Sequence, residues 1–264
     1  MWVERGDVRL WAEVSGTGPT VVLQTGGAGA GSMWREYLPL LDGFRVVALD
    51  HRGRGRSSKP GSAEQHAMPE YVADVVALAD ALSVPRFGFV GYSMGAQVGY
   101  ALAAAHPDRV AALVALGGPW EQVPDPTEPD ELIDVLRTQG MPGLCTAVED
   151  DEHLRLPDWL RQEFLGTDAE QFALSLDAWR GWTAWPQLGA VGCPTVVVAG
   201  ELEDLELGNG EWAGRISDGQ LAARGTASVT VRWLPGLGHV GAFLAAEQNS
   251  RTWVPKLRSA LGGR

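Results

Sequence analysis

The chain has 264 residues, of which 45% are hydrophobic and 20% charged, a composition typical of a globular enzyme with a full core. Its net charge of −12 argues against nucleic acid and against anionic membranes as partners. The N-terminal stretch carries charges from residue 4 and no apolar run approaches 18 residues, so we expect neither a secretory signal nor a membrane span. The two cysteines indicate no disulfide framework. We therefore expect a cytoplasmic monomer or homodimer that acts on a small molecule.

Short apolar runs alternate with helical stretches through the first part of the chain. Such alternation is typical of a mostly parallel sheet covered by helices on both faces, so we predict an α/β fold. The predicted strands are residues 8–14, 20–24, 44–49, 87–90 and 110–116, and the predicted helices are residues 32–41, 68–82 and 97–105.

The alternation stops at residues 119–186, where the sequence is amphipathic and helical and contains no β run. We interpret this stretch as a helical lid inserted into a core made of residues 1–118 and 187–264. Strands resume at residues 194–199 and 228–234, with a helix predicted at 211–224 and another after His239.

The stretch Gly91-Tyr92-Ser93-Met94-Gly95 lies between a predicted strand and a predicted helix. This is the context that the G-x-S-x-G nucleophile elbow requires, in which a strained turn exposes the serine hydroxyl above the sheet. Ser93 is therefore the candidate nucleophile.

A serine needs a base, and histidine is the residue whose pKa lies near working pH. Among the five histidines, His239 follows the last strand on a glycine turn, which favours it as the base. The acid that orients the imidazole is predicted in the loop after residues 194–199, at Glu203 or Asp204. The chain order of serine, acid and histidine is the one found in α/β-hydrolases.

Two backbone amides should receive the negative charge of a tetrahedral intermediate, and we assign them to Met94 and Gly27. For each of two further groups of residues, two interpretations stay open. Tryptophans of the insertion either line an apolar substrate pocket or form the packing of the insertion itself; they are Trp120, Trp159 and Trp182. The arginines of one loop either contact an anionic substrate or form a structural turn; they are Arg52, Arg54 and Arg56.

Several motifs together resemble the α/β-hydrolase superfamily over nearly the whole chain. They are GYSMG at 91–95, DHRGRGRSS at 50–58, HPDRV at 106–110, the acidic loop after PTVVVAG, and GLGH at 236–239. The chain departs from the family at Thr25, where a histidine is frequent, and at Glu203, where an aspartate is frequent. Because some relatives place the acid after an earlier strand, Glu121 is a third option for the acid.

The resemblance implies a hydrolase without metal or cofactor that cleaves a small carboxylic ester or lactone. Alternatives are cleavage of a carbon–carbon bond by the same triad, and a non-hydrolytic, ligand-binding member of the fold. An aspartate nucleophile is disfavoured because position 93 is serine. A dinucleotide site is disfavoured as well, since the glycines at 26–31 lack the required spacing.

Overall fold

The computed structural model describes residues 1–117, 127, 129–203, 215–218, 220 and 228–262. The described residues form an eight-stranded sheet with the order β1-β2-β4-β3-β5-β6-β7-β8. The strands are β1 (Trp2–Arg5), β2 (Val8–Ser15), β3 (Thr20–Gln24), β4 (Arg45–Asp50), β5 (Phe87–Tyr92), β6 (Val110–Leu116), β7 (Thr195–Gly200) and β8 (Val229–Leu234).

Strands β3 to β8 run parallel to one another. At one edge, β2 pairs antiparallel with both β1 and β4. Every residue of β3, β5, β6 and β7 is buried. This burial explains their continuous apolar sequences, because helices cover both faces of a parallel sheet. The sheet thus confirms the predicted α/β class, and the carboxyl ends of its parallel strands meet at one edge.

The helices fall into two groups. Those of the core are α1 (Met68–Ala81), α2 (Met94–Ala105), α7 (His239–Leu244) and α8 (Ala246–Ala260), and those of the predicted insertion are α3 (Pro129–Thr138), α4 (Gly140–Asp151), α5 (Asp158–Leu165) and α6 (Ala169–Ala178). Helix α2 consists largely of small residues because it is almost wholly buried against the sheet. A Cβ at its Gly99 would lie 2.7 Å from Leu113 Cδ1, so a larger residue there would require either Leu113 or the helix to move.

The structure differs from the sequence predictions in two places. Strand β1 was not predicted, and it forms an antiparallel hairpin with β2. Instead of one α-helix at 32–41, two 3₁₀ helices occur, Gly31–Glu36 and Leu38–Leu41. Proline at position 39 removes a helical N–H donor, which favours a break there.

Within residues 129–190 no strand is found, as predicted for the insertion. Of the predicted helix at 211–224, residues 215–218 are described and helical.

Among the described residues, no helix combines the length and the apolar character needed to cross a bilayer.

A buried ion pair joins the loop after β4 to α1. The Arg52 guanidinium donates to both oxygens of Asp74, from Nε at 2.7 Å and from Nη2 at 2.8 Å. Both side chains are 1% exposed, and Arg5 Nε donates to the same carboxylate at 2.7 Å. A buried pair of this kind is costly to break, since the remaining charge has no water to solvate it.

Replacing Asp74 by Ala should therefore lower the free energy of unfolding by about 3–5 kcal/mol, measured by urea denaturation. Asp80 lies on the same helix and pairs with Arg109 at the surface, with a side chain 61% exposed. Asp80→Ala should lower the free energy of unfolding by less than about 1 kcal/mol. Equal losses in the free energy of unfolding would contradict the conclusion that the buried Arg52–Asp74 pair is the more costly one to break.

Candidate active site

Ser93 occupies the sharp turn between β5 and α2. Its φ of 54° and ψ of −120° place it in a region that L-residues rarely adopt. The strain is held by hydrogen bonds on both sides: Ser93 N donates to Leu116 O at 2.9 Å, and Ser93 O accepts from Ala96 N at 2.8 Å. This is the backbone geometry predicted for a nucleophile elbow.

The glycines on either side of Ser93 are required by close packing. A Cβ on Gly91 would lie 2.2 Å from Gly95 O, and a Cβ on Gly95 would lie 2.3 Å from Gln24 O. Both distances are far below van der Waals contact. The turn can therefore close, and approach β3, only with glycine at these two positions.

Glu203 and His239 come together although 36 positions separate them along the chain. The Glu203 Oε1 and His239 Nδ1 atoms are hydrogen-bonded, and the second oxygen, Oε2, accepts from Gly200 N at 2.9 Å. Burial by itself would raise the pKa of the Glu203 carboxyl, but the His239 imidazole and the Gly200 amide hold its pKa below the usual value. The carboxylate thus remains ionised beside the ring and fixes the ring's orientation.

Backbone contacts fix the turns that carry these two side chains. Glu203 lies on a 3₁₀ turn directly after β7, where Leu202 N donates to Leu237 O at 3.1 Å. A Cβ on Gly200 would lie 2.1 Å from Leu237 O, so the acid loop and the histidine turn are in direct contact. His239 is the first residue of α7, and its position follows from this packing.

The His239 ring lies next to the serine turn. A Cβ on Gly117 would lie 3.5 Å from His239 Cε1 and 3.8 Å from Ser93 N, so the ring and the serine backbone approach the same point. The ring of Tyr92, the residue before the serine, stacks on His239 with centroids 4.9 Å apart. The structure therefore gathers the serine, the histidine and the glutamate at the carboxyl edge of the sheet.

The loop after β3 packs directly on the serine. A Cβ on Gly26 would lie 2.8 Å from Ser93 Cβ and 3.2 Å from Ser93 Oγ. A Cβ on Gly27 would lie 3.0 Å from Met94 Sδ and 2.0 Å from a ring carbon of Phe172. The two predicted oxyanion residues are thus neighbours beside Ser93, and their role in binding the oxyanion stays a prediction.

Phe172 is a site residue that sequence reasoning missed. It lies on α6 of the predicted insertion, 7% exposed, and covers the Gly27 backbone. Nothing in its sequence context distinguishes it from an ordinary core phenylalanine, so no sequence signal could have identified it.

The three arginines of the loop after β4 lie in different environments. Arg52 pairs with Asp74, and Arg56 stacks over the Trp11 ring at 4.7 Å. Arg54 is 1% exposed and donates from Nε to Gly27 O at 2.6 Å and from Nη2 to Ser175 Oγ at 2.9 Å. These contacts favour the structural interpretation of the loop, and Arg54 supports the Gly27 loop from inside the protein.

The candidate substrate residues of the insertion are only partly described. Trp159 lies beside Arg35, with the guanidinium 5.0 Å from its ring, and lines a cavity of about 410 Å³ with Glu163 and Thr167. Trp182 packs near Trp179, with ring centroids 5.9 Å apart. The cavity lies between the loop after β3 and α5, and its lining includes none of the predicted catalytic residues. Three candidates lie outside the described residues, namely Trp120, Glu121 and Asp204.

The described residues contain no group of three or more histidine, cysteine, aspartate or glutamate side chains arranged to hold a metal ion.

Two other histidines are buried, which their polar sequence context did not indicate. His66 is fully buried, and its Nδ1 lies 2.8 Å from Tyr71 OH. Burial, together with the charges of Arg54 and Arg52, lowers the pKa of His66 to about 4. Burial and the same arginines lower the pKa of His51 well below its usual value. The folded protein thus keeps both rings neutral.

These two histidines predict a loss of stability in mild acid. Below about pH 6.5 the unfolded chain binds protons that the folded chain excludes, so the free energy of unfolding falls as the pH decreases. For His66 the loss develops between about pH 6.5 and 4 and amounts to about 3 kcal/mol. Urea denaturation at a series of pH values measures it.

The variant His66→Gln should lose less stability than the wild type over the same pH range. As a control, His153→Asn changes an exposed histidine with a positive φ of 49°, and should leave the pH dependence unchanged. If His66→Gln shows the wild-type slope, the burial argument for this residue is wrong.

The fold agrees with the comparison with known proteins. A family model described as alpha/beta hydrolase fold matches residues 19–143. An enol-lactonase from Burkholderia xenovorans LB400 superposes with a TM-score of 0.80 at 24% identity, covering 98% of this chain and 100% of that one. The chain therefore has the α/β-hydrolase fold that its motifs predicted.

Two relatives share more sequence with this chain over a shorter length. A putative carbamate hydrolase, RutD, from Caulobacter sp. (strain K31) is 42% identical over 123 residues, which is 44% of each chain. Epoxide hydrolase B from Mycobacterium tuberculosis (strain ATCC 25618 / H37Rv) is 40% identical over 105 residues, 39% of this chain and 30% of the relative. The chain thus matches less than half the length of these two relatives. They support a hydrolase of the α/β fold.

Proposed function

We propose that this protein is a serine hydrolase that cleaves a small carboxylic ester or lactone through an acyl-enzyme on Ser93. The observation that carries the proposal is the hydrogen bond between Glu203 and His239, next to a serine held at positive φ. A nucleophile, a base and an acid in this order and at one sheet edge are what acyl transfer needs.

In the proposed mechanism, Ser93 Oγ attacks the carbonyl carbon of the substrate while His239 Nε2 takes the hydroxyl proton. We assign this step to Nε2 because Nδ1 is the ring nitrogen that is hydrogen-bonded to Glu203. The carbonyl oxygen becomes an oxyanion, for which the N–H groups of Met94 and Gly27 are the donors. The imidazolium then gives its proton to the departing oxygen, which leaves the acyl group on Ser93.

A water molecule completes the cycle. His239 takes one proton from the water, the resulting hydroxyl attacks the acyl carbon, and Ser93 departs with that proton. The products are a carboxylic acid and an alcohol, or a hydroxy acid when the substrate is a lactone. Glu203 stabilises the imidazolium in both halves of the cycle, because it is ionised in the folded state.

The first test is hydrolysis of short p-nitrophenyl esters and a panel of lactones by the purified protein. Ser93→Ala should lower kcat by at least about 10³-fold, because the variant lacks the nucleophile. As a control, the variant should unfold cooperatively on heating, with a midpoint temperature equal to that of the wild type or higher. This result is expected because alanine removes no core atom, and it shows that the variant is folded. Unchanged turnover in Ser93→Ala would show that the proposed nucleophile is wrong.

The second test concerns the acid. Glu203→Gln should lower kcat by about 10²–10⁴-fold, because an amide supports the wrong tautomer and cannot stabilise the imidazolium. The matched variant is Asp204→Asn, which neutralises the adjacent acid and should retain most of the rate. If Asp204→Asn loses more of its kcat than Glu203→Gln, Asp204 is the acid. Small and equal losses of kcat in both variants would indicate Glu121.

A carbamate is the second candidate substrate class. The specific observation that favours it is the 42% identity with the putative carbamate hydrolase from Caulobacter. A carbamate presents the same kind of carbonyl to Ser93, so the same triad can attack it. Carbamates should therefore be added to the substrate panel. The ratio of kcat/KM for carbamates to kcat/KM for esters and lactones then decides between the two substrate classes.

A further inference from the structure

A carboxylate from the insertion lies at the start of the helix that carries His239. Glu152 follows α4, and its two oxygens accept from Val240 N at 2.6 Å and from Gly241 N at 3.0 Å. These amides belong to the first turn of α7, whose N–H groups have no partner within the helix. A negative charge at this position stabilises the helix and binds it to the insertion.

Glu152 is also packed tightly against the backbone just before the histidine. A Cβ on Gly238 would lie 2.7 Å from Glu152 Oε2. The contact therefore leaves room only for glycine at this position while the carboxylate is in place. The backbone that sets the direction of the His239 side chain is thus in contact with Glu152 on one side and with the Glu203 loop on the other.

Three elements bring charged or titratable groups to His239 or to the backbone beside it. Glu203 binds the ring from the turn after β7, and Tyr92 stacks on the ring from β5. Glu152, at the end of α4, contacts the backbone of the neighbouring Gly238 and Val240. Burial raises the pKa of Tyr92 well above its usual value, and the Glu203 and Glu152 carboxylates raise it further. Because Glu152 contacts the backbone on both sides of His239, its negative charge lies close to that residue.

We propose that Glu152 is a positioning residue that holds His239 in place from the insertion and supplies a second negative charge to stabilise the imidazolium. The inference rests on the proposed function, in which His239 takes the proton of Ser93. It adds to that function a direct connection between the insertion and the base.

A comparison within α4 argues for a role beyond structural support of the insertion. Glu149 lies three positions earlier, and its carboxylate binds Arg161 Nη1 at 2.8 Å and Leu156 N at 3.0 Å. All these partners belong to the insertion. Glu152 instead contacts α7, 88 positions further along the chain. Glu149→Gln is therefore a matched control, since it neutralises a nearby carboxylate that does not contact the base.

The inference can be tested on His239 directly, without turnover. The five histidines are few enough to follow by NMR, and His239→Gln identifies the resonance of His239. In Glu152→Gln, the His239 titration midpoint should move down by about 0.5–1 pH unit, because the imidazolium loses a nearby negative charge. Glu149→Gln should leave the midpoint within about 0.2 unit of the wild type.

Ester hydrolysis supplies the second measurement. Glu152→Gln should move the acidic limb of the kcat/KM profile to lower pH by the same amount and reduce kcat about tenfold, with little change in KM. Should Glu152→Gln fail to fold, Gly238→Ala is the substitute, since its methyl group displaces the carboxylate without removing it. The same downward shift of the midpoint is then expected.

The outcomes separate the two proposals. A folded Glu152→Gln protein with the wild-type His239 midpoint and the wild-type kcat overturns the role of Glu152. A shifted midpoint without a change in kcat overturns the positioning role. If the midpoint shifts but the wild type hydrolyses none of the panel, the proposed function is wrong, while the electrostatic influence of Glu152 on His239 stands.

Discussion

The strained backbone of Ser93 is the constraint on which the arrangement of the site depends. A positive φ at a non-glycine residue costs about 1–3 kcal/mol and persists only where the surroundings enforce it. Here β6 accepts the serine amide through Leu116 O, while Gly91 and Gly95 let the strand, the turn and β3 approach within van der Waals contact. The same close approach brings Gly26 against the serine side chain. The turn that presents the nucleophile therefore also fixes the loop beside it.

The parallel sheet explains why residues far apart in the chain meet at this turn. Parallel strands present their carboxyl ends at one edge, so the segments after β3, β5, β6 and β7 become neighbours. Segments of the predicted insertion contact this edge from outside the sheet. Phe172 on α6 covers the Gly27 backbone, and Glu152 after α4 holds the first turn of α7. Residues of the predicted insertion thus contact both the predicted oxyanion loop and the helix turn that carries His239.

The sequence predicted those parts of the site that follow from local patterns. The elbow at Ser93, the strand ends and the glycine turn before His239 are each visible within a few residues, and the strand order then brings them together. Glu152 and Phe172 were missed because their roles come from contacts with distant segments, and an acid or a phenylalanine on an amphipathic helix is ordinary. Strand β1 was missed because its four residues gain stability only from pairing with β2. The burial of His66 likewise depends on Trp179 and Tyr71, which no local pattern connects to it.

The buried guanidinium of Arg54 shows how the loop after β4 takes part in the site without facing the substrate. Burying a charge is unfavourable unless hydrogen bonds compensate it. In the described part of the chain, Arg54 forms no ion pair with a carboxylate. Its acceptors are the carbonyls of Gly27 and Gly53 and the Ser175 hydroxyl, and the Phe172 ring lies 5.2 Å from it. Burial consequently lowers the pKa of Arg54 from its usual value. Through its bond to the Gly27 carbonyl, Arg54 holds the loop that packs beside Ser93.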